Sequence, residues 1–311
     1  MKYSKHIFIT SALIVSFIIN AAPFDSTYVA KPSPTVLLKN ANIYDGDGNE
    51  FLGHDLLIKS GKIEKLANDI DITSIDGELE VLDLTGMWVT PGIIDIHSHM
   101  GVYSAPGVKT SSDGNEATSP VTADVWAEHS VWTQDPQFSL ALQGGITTFH
   151  VLPGSANLIG GRGTTFKNIQ SNTIQGMKFP SAPHSLKMAC GENPKRVYGS
   201  RKRAPSTRMG NIAGYRKAWI DADRYQKRLD SYETKSREAK EIVSPPTRDL
   251  ELETLVGVLN DEILVQNHCY RAEEMAMMID IAKEFGYKIT AFHHAVEAYK
   301  IADLLADNNI C

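Results

Sequence analysis

Ten histidines occur in this 311-residue chain, and five of them close apolar runs of strand character. His97 and His99 end the run Ile93, Ile94, Asp95, Ile96, which follows the turn signal Pro91-Gly92. Side chains alternate along a strand, so Asp95, His97 and His99 share one face and Ser98 takes the other. Two imidazoles side by side at a strand end can give two nitrogens to one divalent metal. His268 ends Ile263-Leu-Val-Gln-Asn, and His293 with His294 ends Ile289-Thr-Ala-Phe. Glu192 adds an acid just past Leu186-Lys-Met-Ala-Cys-Gly. One histidine at a strand end is ordinary; three such ends plus a carboxylate imply metal-assisted hydrolysis.

Those groups need strands held side by side. From Pro91 onward the pattern alternates strands and helices, which signals parallel βα units and an α/β fold. The expected strands are Ile93–His97, Thr147–Leu152, Leu186–Ala189, Ile263–Asn267 and Lys288–Phe292. Helices are expected at Asp249–Asn260 and at Ala272–Phe285, the latter with Met275, Met278, Ile279 and Ala282 on one apolar face and Gly286 as its stop. In a (β/α)8 barrel the site lies at the C-terminal strand ends, where these residues fall. Before it, short strands between Val36 and Val89 alternate with Gly and Asp turns and predict a small antiparallel, sandwich-like β-domain. Asp45-Gly-Asp-Gly reads there as a hairpin turn, since the later Glu of a calcium loop is missing. The expected organisation is therefore a leader at 1–22, a β-domain at 23–90 and a barrel at 91–311. The basic segment 193–247 reads as a solvated face.

Pro91-Gly-Ile-Ile-Asp-Ile-His-Ser-His99 closely resembles the first-strand motif of the metal-dependent amidohydrolase superfamily. The flanks extend the resemblance from about Val36 to the C-terminus, and it looks most like the imidazolonepropionase-like branch. That resemblance implies a (β/α)8 TIM-type barrel, with His97, His99, His268 and His293 as metal ligands. His294 stands where Gly is more usual. Glu192 resembles the carboxylate ligand of some members; in others a carboxylated lysine serves, which makes Lys187 or Lys195 the competitors. Loops similar to the branch's substrate side carry Asp113, Asn115, Glu116, Asn157, Lys195, Arg196, Tyr198 and Arg208. Gly160-Gly-Arg-Gly163 belongs to the same loops and lacks the spacing of a phosphate loop. The implied cofactor is a divalent metal, Zn²⁺ first, as one or two ions. The implied reaction is attack of activated water on an amide or cyclic amide of a small molecule. In the superfamily an eighth-strand aspartate takes the water's proton; the chain reaches Cys311 after about the sixth strand, so a fragment is expected and the catalytic base is unknown. A dipeptidase-like hydrolase and a non-catalytic barrel binding protein are the competing readings.

Composition narrows the partners. Lys2 and Lys5 precede the apolar run Ile7–Ile19 and then Ala21 and Ala22, which reads as a secretory signal peptide and implies a periplasmic or secreted protein. No stable membrane span is expected after its cleavage, and assembly into a homo-oligomer is left open. The net charge is −6 and becomes −8 without the two leader lysines, so nucleic acid is not an expected partner. Three cysteines form no disulfide framework, and Cys190 and Cys269 read as buried thiols.

Overall fold

A computed structural model describes residues 23–238 and 243–311; the expected signal peptide lies outside them. The first sheet grows from tight turns. β1 (Thr35–Tyr44) and β2 (Glu50–Lys59) are joined by the Asp45 turn, whose carboxylate accepts from Asp47 N at 2.8 Å and Asn49 N at 3.2 Å. Ser60 and Gly61 both take positive φ, 52° and 73°, and turn the chain into β3 (Lys62–Ala67). After a longer connection, β4 (Leu79–Asp83) and β5 (Trp88–Val89) both pair with β1 in parallel. The expected antiparallel sandwich is therefore one mixed sheet, ordered β3-β2-β1-β4 with β5 also on β1. Leu37, Leu57 and Ile70 form one small core of this sheet and Ala41, Ile43 and Leu56 another. Asp55, buried between its segments, accepts from Asn40 N at 2.9 Å and Ile70 N at 3.1 Å.

The second sheet has six strands in chain order: β6 (Ile93–Ser98), β7 (Ile146–Val151), β8 (Ile159–Lys167), β9 (Ser185–Ala189), β10 (Leu264–Cys269) and β11 (Ala291–His294). The helices around it are α1 (Gln137–Gln143), α2 (Ile174–Met177), α3 (Glu192–Gly199), α4 (Arg208–Glu238), α5 (Leu250–Leu259), α6 (Ala272–Phe285) and α7 (Ala302–Asp307). β6–β7, β9–β10 and β10–β11 pair in parallel, whereas β8 runs antiparallel to both neighbours. β8 corrects the reading of Gly160–Gly163 as a loop: those residues are buried in its centre. No helix separates β7 from β8, so the chain reverses directly. The glycines let other backbone approach, and a Cβ on Gly161, at φ +106°, would meet Val125 O at 2.2 Å. β6 and β11 are the two ends of the sheet, yet His97 and His293 touch across it at 2.8 Å. The six strands are thus curled into a nearly closed, incomplete barrel.

α6 forms as expected, with Met275, Met278, Ile279 and Ala282 buried and Gly286 in the left-handed cap. In the segment 193–247 Arg196, Arg201, Lys202, Arg203 and Arg216 are exposed, as a solvated face requires. The sequence reading did not give the 31-residue α4, which buries Tyr215, Ala218, Trp219, Ala222 and Tyr225 along one face. Cys190 and Cys269 are a further correction, being joined in a disulfide with Cα atoms 5.2 Å apart. Ala189 pairs with His268 across β9–β10, so the next residue of each strand falls opposite the other. A sequence separation of 79 hides that proximity. Cys311 is free and exposed.

Candidate active site

The barrel's inner face is set by strand alternation. On β9, Leu186 and Met188 point outward into the main core, which leaves Lys187 inward. On β10, Val265 and Cys269 pack outward, so Gln266 and His268 face in; on β11, Phe292 packs outward and His293 faces in. Register places Gln266 beside Lys187 and His268 beside His293. β6 contributes His97, and His99 follows it.

Hydrogen bonds then fix the tautomers. Leu152 O can only accept, so His99, 2.8 Å away, carries its proton on Nδ1 and leaves a lone pair on Nε2. Gln266 Oε1 accepts from His293 Nε2 at 2.6 Å, which leaves the lone pair on His293 Nδ1. His97 Nδ1 donates to that atom at 2.8 Å, so the lone pair of His97 is on Nε2. That nitrogen faces His99 Nε2 at 3.3 Å and Lys187 Nζ at 3.4 Å.

Burial keeps the imidazoles of this cluster uncharged. It lowers His97 to about 2 and His293 to about 4, with the nearby Lys187 charge as the second cause for both. His99 is lowered for the same two reasons. Lys187 is fully buried, and desolvation alone pulls its amine down to about 7. Among the described residues no carboxylate makes a hydrogen bond or ion pair with the ring nitrogens of His97, His99 or His293; Asp95 accepts only from the His97 backbone N at 3.1 Å.

Two imidazole lone pairs facing each other with no proton between them call for a cation. Two nitrogens bound to one tetrahedral zinc at about 2.0–2.1 Å stand ~3.3 Å apart. His97 Nε2 and His99 Nε2 have that separation, and the buried Lys187 amine lies beside His97 Nε2. These residues fit a divalent metal. They do not yet enclose one: among the described residues no group of three or more His, Cys, Asp or Glu is arranged to hold an ion, consistent with His293 spending Nδ1 on His97.

The other expected site residues fall elsewhere. His268 accepts from Asn193 Nδ2 at 3.2 Å and meets Ser155 Oγ at 2.9 Å. Its ring lies 4.4 Å from that of His294, which in turn is 5.1 Å from His97. His294 is exposed and at φ 65°, whereas His293 is buried. Glu192 opens α3 with an exposed side chain and touches none of these histidines. Lys195 is half-buried and Arg196 exposed on the same helix.

Asp113, Asn115 and Glu116 line a cavity of about 410 Å³ with Asp124, Trp126 and His129. Pro153 also lines it, one residue past the carbonyl that holds His99. Tyr103 is the second link: its ring is 5.7 Å from that of His99, and its hydroxyl accepts from Asn115 Nδ2. Asn157 and Tyr198 anchor a loop of this cavity. Fully buried Asn157 donates to Glu116 O at 2.7 Å and Ser119 O at 2.8 Å, and Tyr198 donates to Ser119 O at 2.5 Å. Arg208 is paired with buried Glu274. Sequence reasoning missed Gln266, Leu152 and Tyr103. Only Gln266 carried a signal, by sharing the inward face of His268.

No family model matches the chain. An amidohydrolase from Thermotoga maritima MSB8 is 39% identical, with a TM-score of 0.78, over 88% of this chain and 68% of that one. Amidohydrolase tasK of Hapsidospora irregularis is 33% identical over 262 residues, 81% of this chain and 27% of that protein. The imidazolonepropionase of Chromobacterium violaceum is 31% identical over 119 residues, 33% of this chain and 28% of that protein. The chain thus spans about a quarter of the length of these two curated relatives. The chain belongs to the amidohydrolase superfamily, a family of hydrolytic enzymes.

Proposed function

We propose that this chain carries the metal-binding part of a hydrolase for non-peptide C–N bonds, an amide or cyclic amide of a small molecule. The observation that carries the reading is the facing lone pairs of His97 and His99 beside the buried Lys187 amine. His97 and His99 would hold the metal. Lys187, rather than Glu192, is the better placed third group, either as its amine or as the carboxylated form the resemblance implies. His293 and His268 stand on the neighbouring strands and would complete the set by giving up their present partners. A bound divalent ion would supply Lewis acidity and make a water nucleophilic near neutral pH.

The chain's own groups prepare that chemistry. Leu152 O keeps the His99 proton away from the reacting side. Burial withholds protons from the imidazoles, so they need not release any before binding an ion. The cavity lined by Asp113, Asn115 and Glu116 would receive the substrate, with Tyr103 as the wall between it and His99. Export to the periplasm or outside the cell is part of the proposal, on the strength of the leader-like residues at 1–22.

Zinc titration of the metal-free chain, followed by a screen of amides and lactams, tests the reading. Binding of one or two equivalents that is lost in His97→Ala supports it. A folded chain that takes up no zinc removes it.

A further inference from the structure

We propose that the cavity beside His99 selects substrates carrying a positive group, an ammonium or a guanidinium, away from the amide to be cut. The inference deepens the functional reading above and rests on it in calling the ligand a substrate. The cavity, about 410 Å³, is of a size that takes a small molecule. Asp113, Glu116 and Asp124 line it, and among the described residues no Lys or Arg does so. All three acids are exposed, and among the described residues none of their carboxylates makes a hydrogen bond or an ion pair. His129, the remaining titratable group of the wall, is stacked on Trp126 with ring centroids 5.3 Å apart. The nearby cations are engaged elsewhere. Arg201 and Arg203 donate to Ala117 O and Thr118 O. Buried Arg162 lies over the Trp126 ring at 4.1 Å and donates to Thr254 Oγ1 at 2.8 Å.

A metal ion is not the ligand these acids suit. Among the described residues no group of three or more His, Cys, Asp or Glu is arranged to hold one, so the three charges stand apart. Charges of one sign spread around a cleft raise the local concentration of an oppositely charged organic group without a fixed contact. Trp126 adds a donor: it is buried in the same wall, and its indole N–H meets no acceptor among the described residues. A ligand with a cationic end and a neutral carbonyl or hydroxyl oxygen would use both kinds of group. The route to the histidines sets its orientation. Pro153 lines the cavity one residue beyond the Leu152 carbonyl that holds His99. Tyr103 stands between, its ring 5.7 Å from that of His99. An amide placed at the histidines then leaves the charged end among the acids.

The test uses the whole metal-free chain and three probes, the Nα-acetyl amides of arginine, citrulline and glutamate, with affinities read by calorimetry. Citrulline matches arginine in shape and lacks its charge. The arginine probe is expected to bind about tenfold or more tighter than the citrulline probe, with the glutamate probe weakest. The preference shrinks as NaCl is raised to about 0.5 M. Asp113→Asn with Glu116→Gln removes most of it. Glu78→Gln with Glu80→Gln takes two exposed acids from the first sheet and leaves the preference in place. Circular dichroism checks that both double variants fold; if the cavity variant does not, Asp124→Asn is read in its place. Equal affinity for the arginine and citrulline probes overturns the inference, as does tighter binding of the glutamate probe. Binding of none of the three at millimolar concentration overturns it too, and so does an equal loss in both double variants. A wild type that takes up no zinc removes the functional reading, while the probes still decide the charge preference of the cavity.

Discussion

Two buried clusters in this barrel are built from the same residue types and behave differently. Around Lys187, three imidazoles and an amine meet with no acid paired to the amine or to a ring nitrogen. Around Lys178, the amine is paired with Glu128, which also faces His184 at 3.6 Å. Lys178 has a further acceptor in Phe24 O at 2.8 Å. The second cluster closes its own charge and has no call for a ligand, so it ties β8, α2 and the N-terminal residues together. The first leaves lone pairs facing inward and an amine that burial lowers to about 7. Burial is common to both; a carboxylate paired with the lysine separates scaffold from site.

The largest expected contrast is in metal binding. His97→Ala should abolish zinc uptake, while His184→Ala should leave the stoichiometry unchanged; chelator competition on both variants decides. Next comes stability, where the two lysines should differ in sign. Glu128→Ala leaves Lys178 buried without its counter-charge and should cost about 3–5 kcal/mol in denaturant unfolding. Lys187→Met removes an amine that has no acid to lose, so the metal-free chain should be unchanged or more stable at neutral pH while its zinc affinity drops.

Smaller effects follow from pH, measured on the metal-free chain. Unfolded histidine titrates near 6.5, but burial lowers His97 to about 2, His268 to about 3 and His293 to about 4. Below pH 6.5 the unfolded chain therefore binds more protons, and stability should fall as the pH drops toward 4. Lys187 acts at the other end: it releases its proton near 7 when folded and near 10.5 when unfolded, so stability should rise between those values. Thermal midpoints across pH 4 to 10 check both limbs. The smallest effect is Asn157→Ala, about 1–2 kcal/mol, since it frees the Glu116 and Ser119 carbonyls of the cavity loop.

Much of the scaffold was readable where residues repeat at a structural period. α6 was visible from Met275, Met278, Ile279 and Ala282, and β6 from its isoleucine run before His97. α4 was hidden because its arginines and lysines dominate the composition, although Tyr215, Ala218, Trp219, Ala222 and Tyr225 keep helical spacing. β8 was hidden because glycines at Gly160, Gly161 and Gly163 imitate a loop. In the site, strand-end histidines stand out by type. Their partners do not: the Leu152 carbonyl and the pairing of Cys190 with Cys269 depend on which strands become neighbours. Lys187 was readable only as an alternative, because nothing local says that a lysine in an apolar strand will turn inward.

The most direct test of the central claim is the zinc stoichiometry of the folded chain after loading and desalting, compared with Lys187→Met and His97→Ala. The account predicts at least one equivalent in the wild type, none in His97→Ala and weakened retention in Lys187→Met. Equal zinc in all three, or none in the wild type, would contradict it.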